Sequence, residues 1–267
     1  MQLLNSNQHN GAVLNWVRTG PRGNSTVVLI HPVGYDLTYW GDQIDALQPF
    51  HDVIAVDLPG HGRSTGGPAE CDFGKISVML AGLIKAVSDR PVHVIGISVG
   101  GMIAQSLVLA YPSLVRSLCL IGTASTFPAE ARAAMFVRAE AVEQGGMQAV
   151  LPASLDRWFT GQTRARRPDL IERVSRTLLA DDPAVHAAMW RMIATFEVRD
   201  RLHEIGCPTL VLVGDQDPST PPAMAEVLAE NIPGARKVLL ANTSHIAMLE
   251  SPDAVNQALL SFLAALR

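Results

Sequence analysis

The sequence predicts an α/β protein, a mostly parallel sheet covered by helices on both faces. Three observations predict it. Short β-rich apolar runs recur along the chain and alternate with helix-length segments, the pattern of βαβ units. Several of these runs end on Gly, Asp or His and lead into a turn. Charged residues make up only 17% of the chain, against about 25% in an average globular protein, so large, fully buried elements are expected. A length of 267 residues with 48% hydrophobic residues suits one domain, or one domain with an insertion.

The strand candidates are Val27 to His31, Val53 to Asp57, Val92 to Ile97, Ser117 to Gly122 and Thr209 to Gly214, with Lys237 to Leu240 as a weaker last one. Ala12 to Arg18 offers an antiparallel strand at the front edge. Helical spacing of apolar residues marks Phe73 to Ser88. Val99 to Ala110 opens directly from a strand and stops before Tyr111-Pro112, because the residue before a proline is pushed out of the helical region. Pro222 to Asn231 begins on proline and ends before Pro233-Gly234, a favourable start and stop. Pro252 to Leu266 is the last helix, with Ser251 placed to cap it.

Between about Thr123 and Arg201 the strand rhythm disappears. The segment is helical, rich in Ala, Arg and Met, and punctuated by Gly145-Gly146 and Pro168. It reads as a helical cap, residues 123–201, inserted after the sixth sheet strand into a core of residues 1–122 and 202–267.

A formal net charge of -4 gives no electrostatic footprint for nucleic acid. Cys71, Cys119 and Cys207 are odd in number and far apart, without C-x-x-C or zinc-like spacing. Neither a disulfide framework nor a metal site is indicated, and reduced thiols point to the cytoplasm. Met1 to Asn10 is polar, unlike a signal peptide. No apolar stretch reaches the roughly 18 residues of a membrane-spanning helix. The sequence is compatible with a homo-oligomer.

The central chemical signal is Gly96-Ile97-Ser98-Val99-Gly100, placed between an apolar strand and a helix. This is the G-x-S-x-G elbow in the context it requires. The turn is strained, and side chains two positions to either side of the serine would meet neighbouring backbone. The serine hydroxyl is lifted above the sheet at a helix N-terminus, where the dipole favours negative charge. A hydroxyl becomes nucleophilic only when a base takes its proton. Of eight histidines, His245 stands in a polar stretch, Asn242 to His245, between the last strand and the last helix. His31 and His61 stand in Gly/Pro-rich turns. His9, His51, His93, His186 and His203 show no partner pattern and read as structural or exposed. The acid that orients the base should lie between Ser98 and His245 at a strand end. Val213-Gly214-Asp215-Gln216-Asp217-Pro218 supplies two candidates, Asp215 and Asp217, with Pro218 able to fix the turn after the second. The loop Gly122 to Ser125 holds no carboxylate. An oxyanion needs two backbone donors: the amide of Val99, and that of Val33 in His31-Pro32-Val33-Gly34, since Pro32 has no N–H.

With these pieces the chain resembles the α/β-hydrolase superfamily along nearly its whole length. Within it, the sequence is most similar to the 3-oxoadipate enol-lactone hydrolase-like group. The matching pieces include Gly34 to Trp40, Gly60-His61-Gly62-Arg63-Ser64, Arg157-Trp158-Phe159-Thr160, Asp217 to Pro222, and His245 with Glu250. Two positions depart from that group: Pro59 stands where arginine is usual, and His31-Pro32 replaces Asn-Ser. The resemblance implies the α/β-hydrolase fold with an eight-stranded sheet and settles the acid as Asp217. It implies cofactor-independent hydrolysis of a small ester or lactone through an acyl-enzyme, with Ser98 as nucleophile and His245 as base. Trp158, Met189 and Trp190 are candidate lining residues of the substrate pocket, with Met192 beside them. An anionic substrate is also implied, and the cap offers Arg157, Arg164, Arg166, Arg167, Arg173, Arg176, Arg191 and Arg199 to meet it.

Two other functions compete. The same residues support C–C bond hydrolysis of a ring-cleavage product, and the fold also hosts non-catalytic ligand receptors. Dehalogenase and epoxide hydrolase chemistry is disfavoured, because those relatives carry aspartate where this chain has Ser98.

Overall fold

Alternate side chains of the central strands enter two separate cores. In the strand Thr26–Ile30, Val28 and Ile30 join one apolar cluster while Val27 and Leu29 join the other. All four are fully buried, as a parallel strand between two helical layers must be. The computed structural model describes residues 2–3, 8–9 and 12–266. Its sheet has eight strands: β1 (Gln2–Leu3), β2 (Trp16–Thr19), β3 (Thr26–Ile30), β4 (Asp52–Val56), β5 (Val92–Ile97), β6 (Val115–Ile121), β7 (Thr209–Gly214) and β8 (Arg236–Leu240). Their order is β1-β2-β4-β3-β5-β6-β7-β8. The pairs β1/β2 and β2/β4 are antiparallel, and the other neighbours are parallel.

The first core lies under α2 (Phe73–Val87), α3 (Val99–Ala110) and α9 (Pro222–Asn231), through residues such as Leu80, Ile84, Ile103 and Leu228. The second lies under α1 (Gly41–Leu47) and α11 (Pro252–Ala264), through Leu47, Leu259 and Phe262. Each buried aliphatic side chain contributes roughly 1.5–3 kcal/mol, so a charge on either face of β3 would not be tolerated.

Between β6 and β7 the described chain carries only helices and turns. They are α4 (Ala129–Gly145), α5 (Leu151–Trp158), α6 (Gly161–Arg166), α7 (Pro168–Ala180) and α8 (Pro183–Ala194). Asp182 caps α8 by accepting from the amides of Ala184 and Val185, and Pro183 fills its first turn. A four-residue helix, α10 (Ala247–Glu250), follows β8.

Several sequence expectations shift. The run Ala12 to Arg18 is broken: Ala12–Val13 pairs with Gln8–His9 in a separate two-stranded ribbon, and only Trp16–Thr19 enters the main sheet. β3 and β4 begin and end one residue early, which leaves His31 and Asp57 in the loops beyond them. Ser251 occupies the position before α11 without capping it; its hydroxyl bonds that of Thr243 instead, at 2.6 Å. His31 and His61 are in turns but fully buried, with their rings 5.4 Å apart.

Candidate active site

The site is assembled from loops at the carboxyl ends of parallel strands, where open α/β sheets bind their ligands. Ser98 follows β5 with φ 55° and ψ -122°, outside the regions an L-residue favours. Its carbonyl is held by Gly101 N–H at 2.9 Å, Met102 N–H at 3.1 Å and the Thr123 hydroxyl at 2.7 Å. The flanking glycines are obligatory. A Cβ on Gly96 would sit 2.2 Å from the Gly100 carbonyl oxygen, and one on Gly100 would sit 2.2 Å from that of Ile30.

Ser98 Oγ lies 2.9 Å from His245 Nε2, and His245 Nδ1 lies 2.8 Å from Asp217 Oδ2. All three residues are buried. With Nδ1–H donated to the carboxylate, Nε2 is left to accept from the serine hydroxyl. Burial would raise the pKa of Asp217, but His245 and the bonds from Thr220 outweigh it and hold the carboxyl below its ordinary value. The sequence pattern did not single out Thr220. Its hydroxyl donates to Asp217 Oδ2 at 2.8 Å and its amide to Oδ1 at 3.0 Å, beside the Ser219 amide at 2.8 Å. Asp-Pro-Ser-Thr is the signature of such an Asx turn and could have revealed it. Asp215 is exposed and turned away, accepting from Thr243 N–H at 3.1 Å.

Val99 directly follows Ser98 in the chain, and both it and Val33 are buried. Among the described residues, no hydrogen bond takes either amide. The loop carrying Val33 is anchored by Asp57. Its carboxylate accepts from Leu37 N–H at 2.7 Å, Arg63 N–H at 2.8 Å and Asn15 Nδ2 at 2.7 Å. Gly62, at φ 55°, leaves room for that carboxylate, since a Cβ there would lie 2.3 Å from Asp57 Oδ2.

A cavity of about 580 Å³ opens above Ser98, with Val33, Ser98 and His245 on the sheet side and residues of α4, α5 and α8 opposite. Trp158 and Trp190 line it. Met189 does not: it is buried in the core beneath α8, because a one-residue step on a helix rotates the side chain by about 100°. Met192 lines a different surface depression. Of the eight arginines that the sequence offered for an anionic substrate, only Arg157 lines the cavity. Arg164, Arg167, Arg176 and Arg191 pair with Asp156, Asp169, Glu172 and Glu143 at the surface. Arg173 lies over the Tyr39 ring at 4.1 Å. The arginine that lines the cavity beside Arg157 is Arg138, which the sequence did not single out.

Among the described residues, no His/Cys/Asp/Glu cluster could hold a metal ion, and no helix is long and apolar enough to cross a membrane. The three cysteines are free thiols.

A β1-β2-β4-β3-β5-β6-β7-β8 sheet with this elbow defines a class, and comparison with known proteins agrees. Residues 25–252 match the family model of the alpha/beta hydrolase fold. The chain belongs to that family and is a hydrolase. It is 30% identical over 239 residues to the (E)-2-((N-methylformamido)methylene)succinate hydrolase of Acinetobacter baylyi, covering 89% of each chain. It is 29% identical to 3-oxoadipate enol-lactonase 2 of the same organism, covering 92% of this chain and 91% of that one. The crystal structure of the enol-lactonase from Burkholderia xenovorans superposes with a TM-score of 0.88 at 28% identity, covering 96% and 98% of the two chains.

Proposed function

We propose that this protein is a cofactor-independent serine hydrolase that cleaves a small carboxylic ester or lactone through an acyl-enzyme, with residues 123–201 acting as its cap. The observation that carries this reading is the hydrogen-bonded line Ser98 Oγ–His245 Nε2–Asp217 Oδ2, at 2.9 and 2.8 Å, beneath the cavity. Ser98 Oγ attacks the carbonyl carbon while His245 Nε2 takes its proton. The oxygen that gains the charge is held by the amides of Val33 and Val99. The tetrahedral adduct collapses, and His245 returns its proton to the departing alkoxide or enolate oxygen. Water then attacks the acyl-enzyme with His245 again as base, releasing the acid and restoring Ser98. The enol-lactonase names of two relatives support a lactone or ester substrate.

The test is labelling with a fluorophosphonate, located by mass spectrometry, followed by turnover of a panel of esters and lactones. Adduct on Ser98 with turnover of panel members supports the reading. Adduct without any such turnover, together with cleavage of a vinylogous diketo acid, would transfer the protein to C–C bond hydrolysis. A folded protein that takes no label has no activated serine.

A further inference from the structure

Two donors meet on one oxygen of Asp217. Oδ2 accepts from His245 Nδ1 at 2.8 Å and from the Thr220 hydroxyl at 2.8 Å, while Oδ1 takes the amides of Ser219 and Thr220. Thr220 Oγ1 also lies 3.4 Å from His245 Nδ1. Nδ1 carries the proton that it gives to the carboxylate, so the hydroxyl proton goes to Oδ2 and a hydroxyl lone pair faces the imidazole. Thr220 thus touches both ends of the bond between Asp217 and His245, and all three residues are buried. The residue also lines the cavity, but its hydroxyl proton is already committed.

The backbone holds Thr220 in that place. Its amide is bound to Asp217 Oδ1, and Pro221 and Pro222 lead from it into α9. Proline fixes its own φ and pushes the residue before it toward extended backbone. Branching at Cβ limits the threonine side chain to few rotamers. A carboxylate, by contrast, turns easily about its last torsion, and a bond from His245 alone would leave its orientation loose. Other charged groups are near but bound elsewhere. Arg157 donates to the Pro218 carbonyl at 3.3 Å, Glu250 accepts the Ser244 amide, and Asp215 accepts the Thr243 amide. Arg138 and Glu130 line the same cavity. Among the described residues, His245 is the one titratable side chain that pairs with Asp217.

We propose that Thr220 is a positioning residue: acting through Asp217, its hydroxyl fixes the carboxylate oxygen opposite His245 Nδ1 and draws off part of that oxygen's charge, which sets how strongly His245 holds a proton. This rests on the serine hydrolase reading of Ser98, His245 and Asp217. The same bond is among those that hold the Asp217 carboxyl below its ordinary value. A carboxylate that loses a donor keeps more negative charge and favours the imidazolium more. Without the hydroxyl, His245 stays protonated to higher pH, and the oxygen that orients it is less well aimed.

The experiment follows the rate of fluorophosphonate labelling at Ser98 from about pH 5 to 9, the range in which a histidine base loses its proton, in the wild type, Thr220→Val and Thr220→Ser. Valine keeps the shape and the amide but removes the hydroxyl. Thr220→Val is expected to move the acid limb up by about 0.5–1 pH unit and to lower the plateau rate on the order of 3–30-fold. Thr220→Ser, which keeps the hydroxyl, should return the limb to that of the wild type. A residue that only supported the fold would lower Tm and rate without moving the limb. A second readout needs no reaction at Ser98: nitrogen-15 NMR of the imidazoles, in which the His245 midpoint should rise in Thr220→Val by the same amount as the limb. Circular dichroism and Tm establish that each variant is folded, and Thr220→Ala takes the place of Thr220→Val if the valine protein does not fold. An unmoved limb and midpoint in a folded variant lacking the hydroxyl, or a Thr220→Ser that behaves as Thr220→Val does, overturns the role of Thr220 alone. If wild-type Ser98 takes no label, the serine reading falls, and the His245 midpoint still decides for or against Thr220.

Discussion

Glu250 accepts hydrogen bonds from both the amide and the hydroxyl of Thr160, at 2.8 and 2.6 Å, across 90 residues of sequence. Its other oxygen accepts the amide of Ser244 at 2.5 Å, directly before His245. The Ile246 amide also donates to the Trp158 carbonyl at 3.1 Å. One carboxylate therefore ties the loop of the candidate base to the segment that follows a cavity-wall tryptophan. This explains why Arg157 to Thr160 and His245 with Glu250 belong to one structural unit.

Glu250→Gln should destabilise the protein by about 1–3 kcal/mol. An amide can accept on only one of the two sides and would press its NH₂ against an N–H on the other. Urea unfolding measures the loss. Wild-type stability in Glu250→Gln would mean that the loop is held by its other contacts.

Ser98→Ala should lose turnover by several orders of magnitude, as removal of the nucleophile does in serine proteases. Ser98→Gly should be equally inactive but more stable than Ser98→Ala by about 1 kcal/mol. Glycine alone relaxes at φ 55°, ψ -122°. Thermal melts of the two variants decide the second point. Equal Tm values would show that the elbow stores no strain at this residue.

Asp217→Asn should reduce kcat far more than Asp215→Asn. An amide cannot hold His245 in the tautomer that leaves Nε2 free, and in a serine protease the corresponding change costs about 10⁴-fold. Asp215 only supports the Thr243 amide. If Asp215→Asn is the more damaging substitution, the acid is misassigned.

Stability should fall as pH drops below about 6.5. Burial holds His31 and His93 down at about 4 and His186 at about 3. His31 accepts the Leu58 amide on Nε2, and His186 accepts the Trp190 indole there, so both are folded in the neutral form. The unfolded chain takes up these protons near pH 6.5 and the folded chain does not, so the contribution is complete above that pH and is lost toward pH 4. Asp181 works in the opposite direction: burial raises it to about 6, so its protonation favours the folded state between about pH 6 and 4. Burial also holds His61 down and Asp57 up, so four groups act against two and leave a net loss of roughly 2 kcal/mol per pH unit at the steepest point. Urea unfolding at pH 7.5, 6.5, 5.5 and 5.0 measures it. A flat series would mean that these imidazoles reach protons in the folded state.

The sequence by itself determined the strand–helix alternation and the elbow at Ser98, because both are local. Strand runs are set by apolar side chains on both faces, and Gly96 and Gly100 are required by backbone contacts around a single turn. His245 was legible for a similar reason, as a polar loop between the last strand and the last helices. What the sequence left between alternatives was decided by packing across the fold. Asp215 and Asp217 are two residues apart, and only the turn after β7, with its Asp215 amide bound to the Leu240 carbonyl of β8 at 2.9 Å, directs the second toward His245. Met189 and Trp190 are adjacent on α8, and only the neighbours of that helix send one into the core and the other to the cavity. The arginines show the same division. Their abundance between residues 123 and 201 is visible in the sequence, but pairing and burial are not: Arg191 meets Glu143, while Arg138 Nε is buried with no partner among the described residues. Helical periodicity identifies a face; which surroundings that face meets depends on helices and loops distant in the chain, and only the assembled structure brings them together.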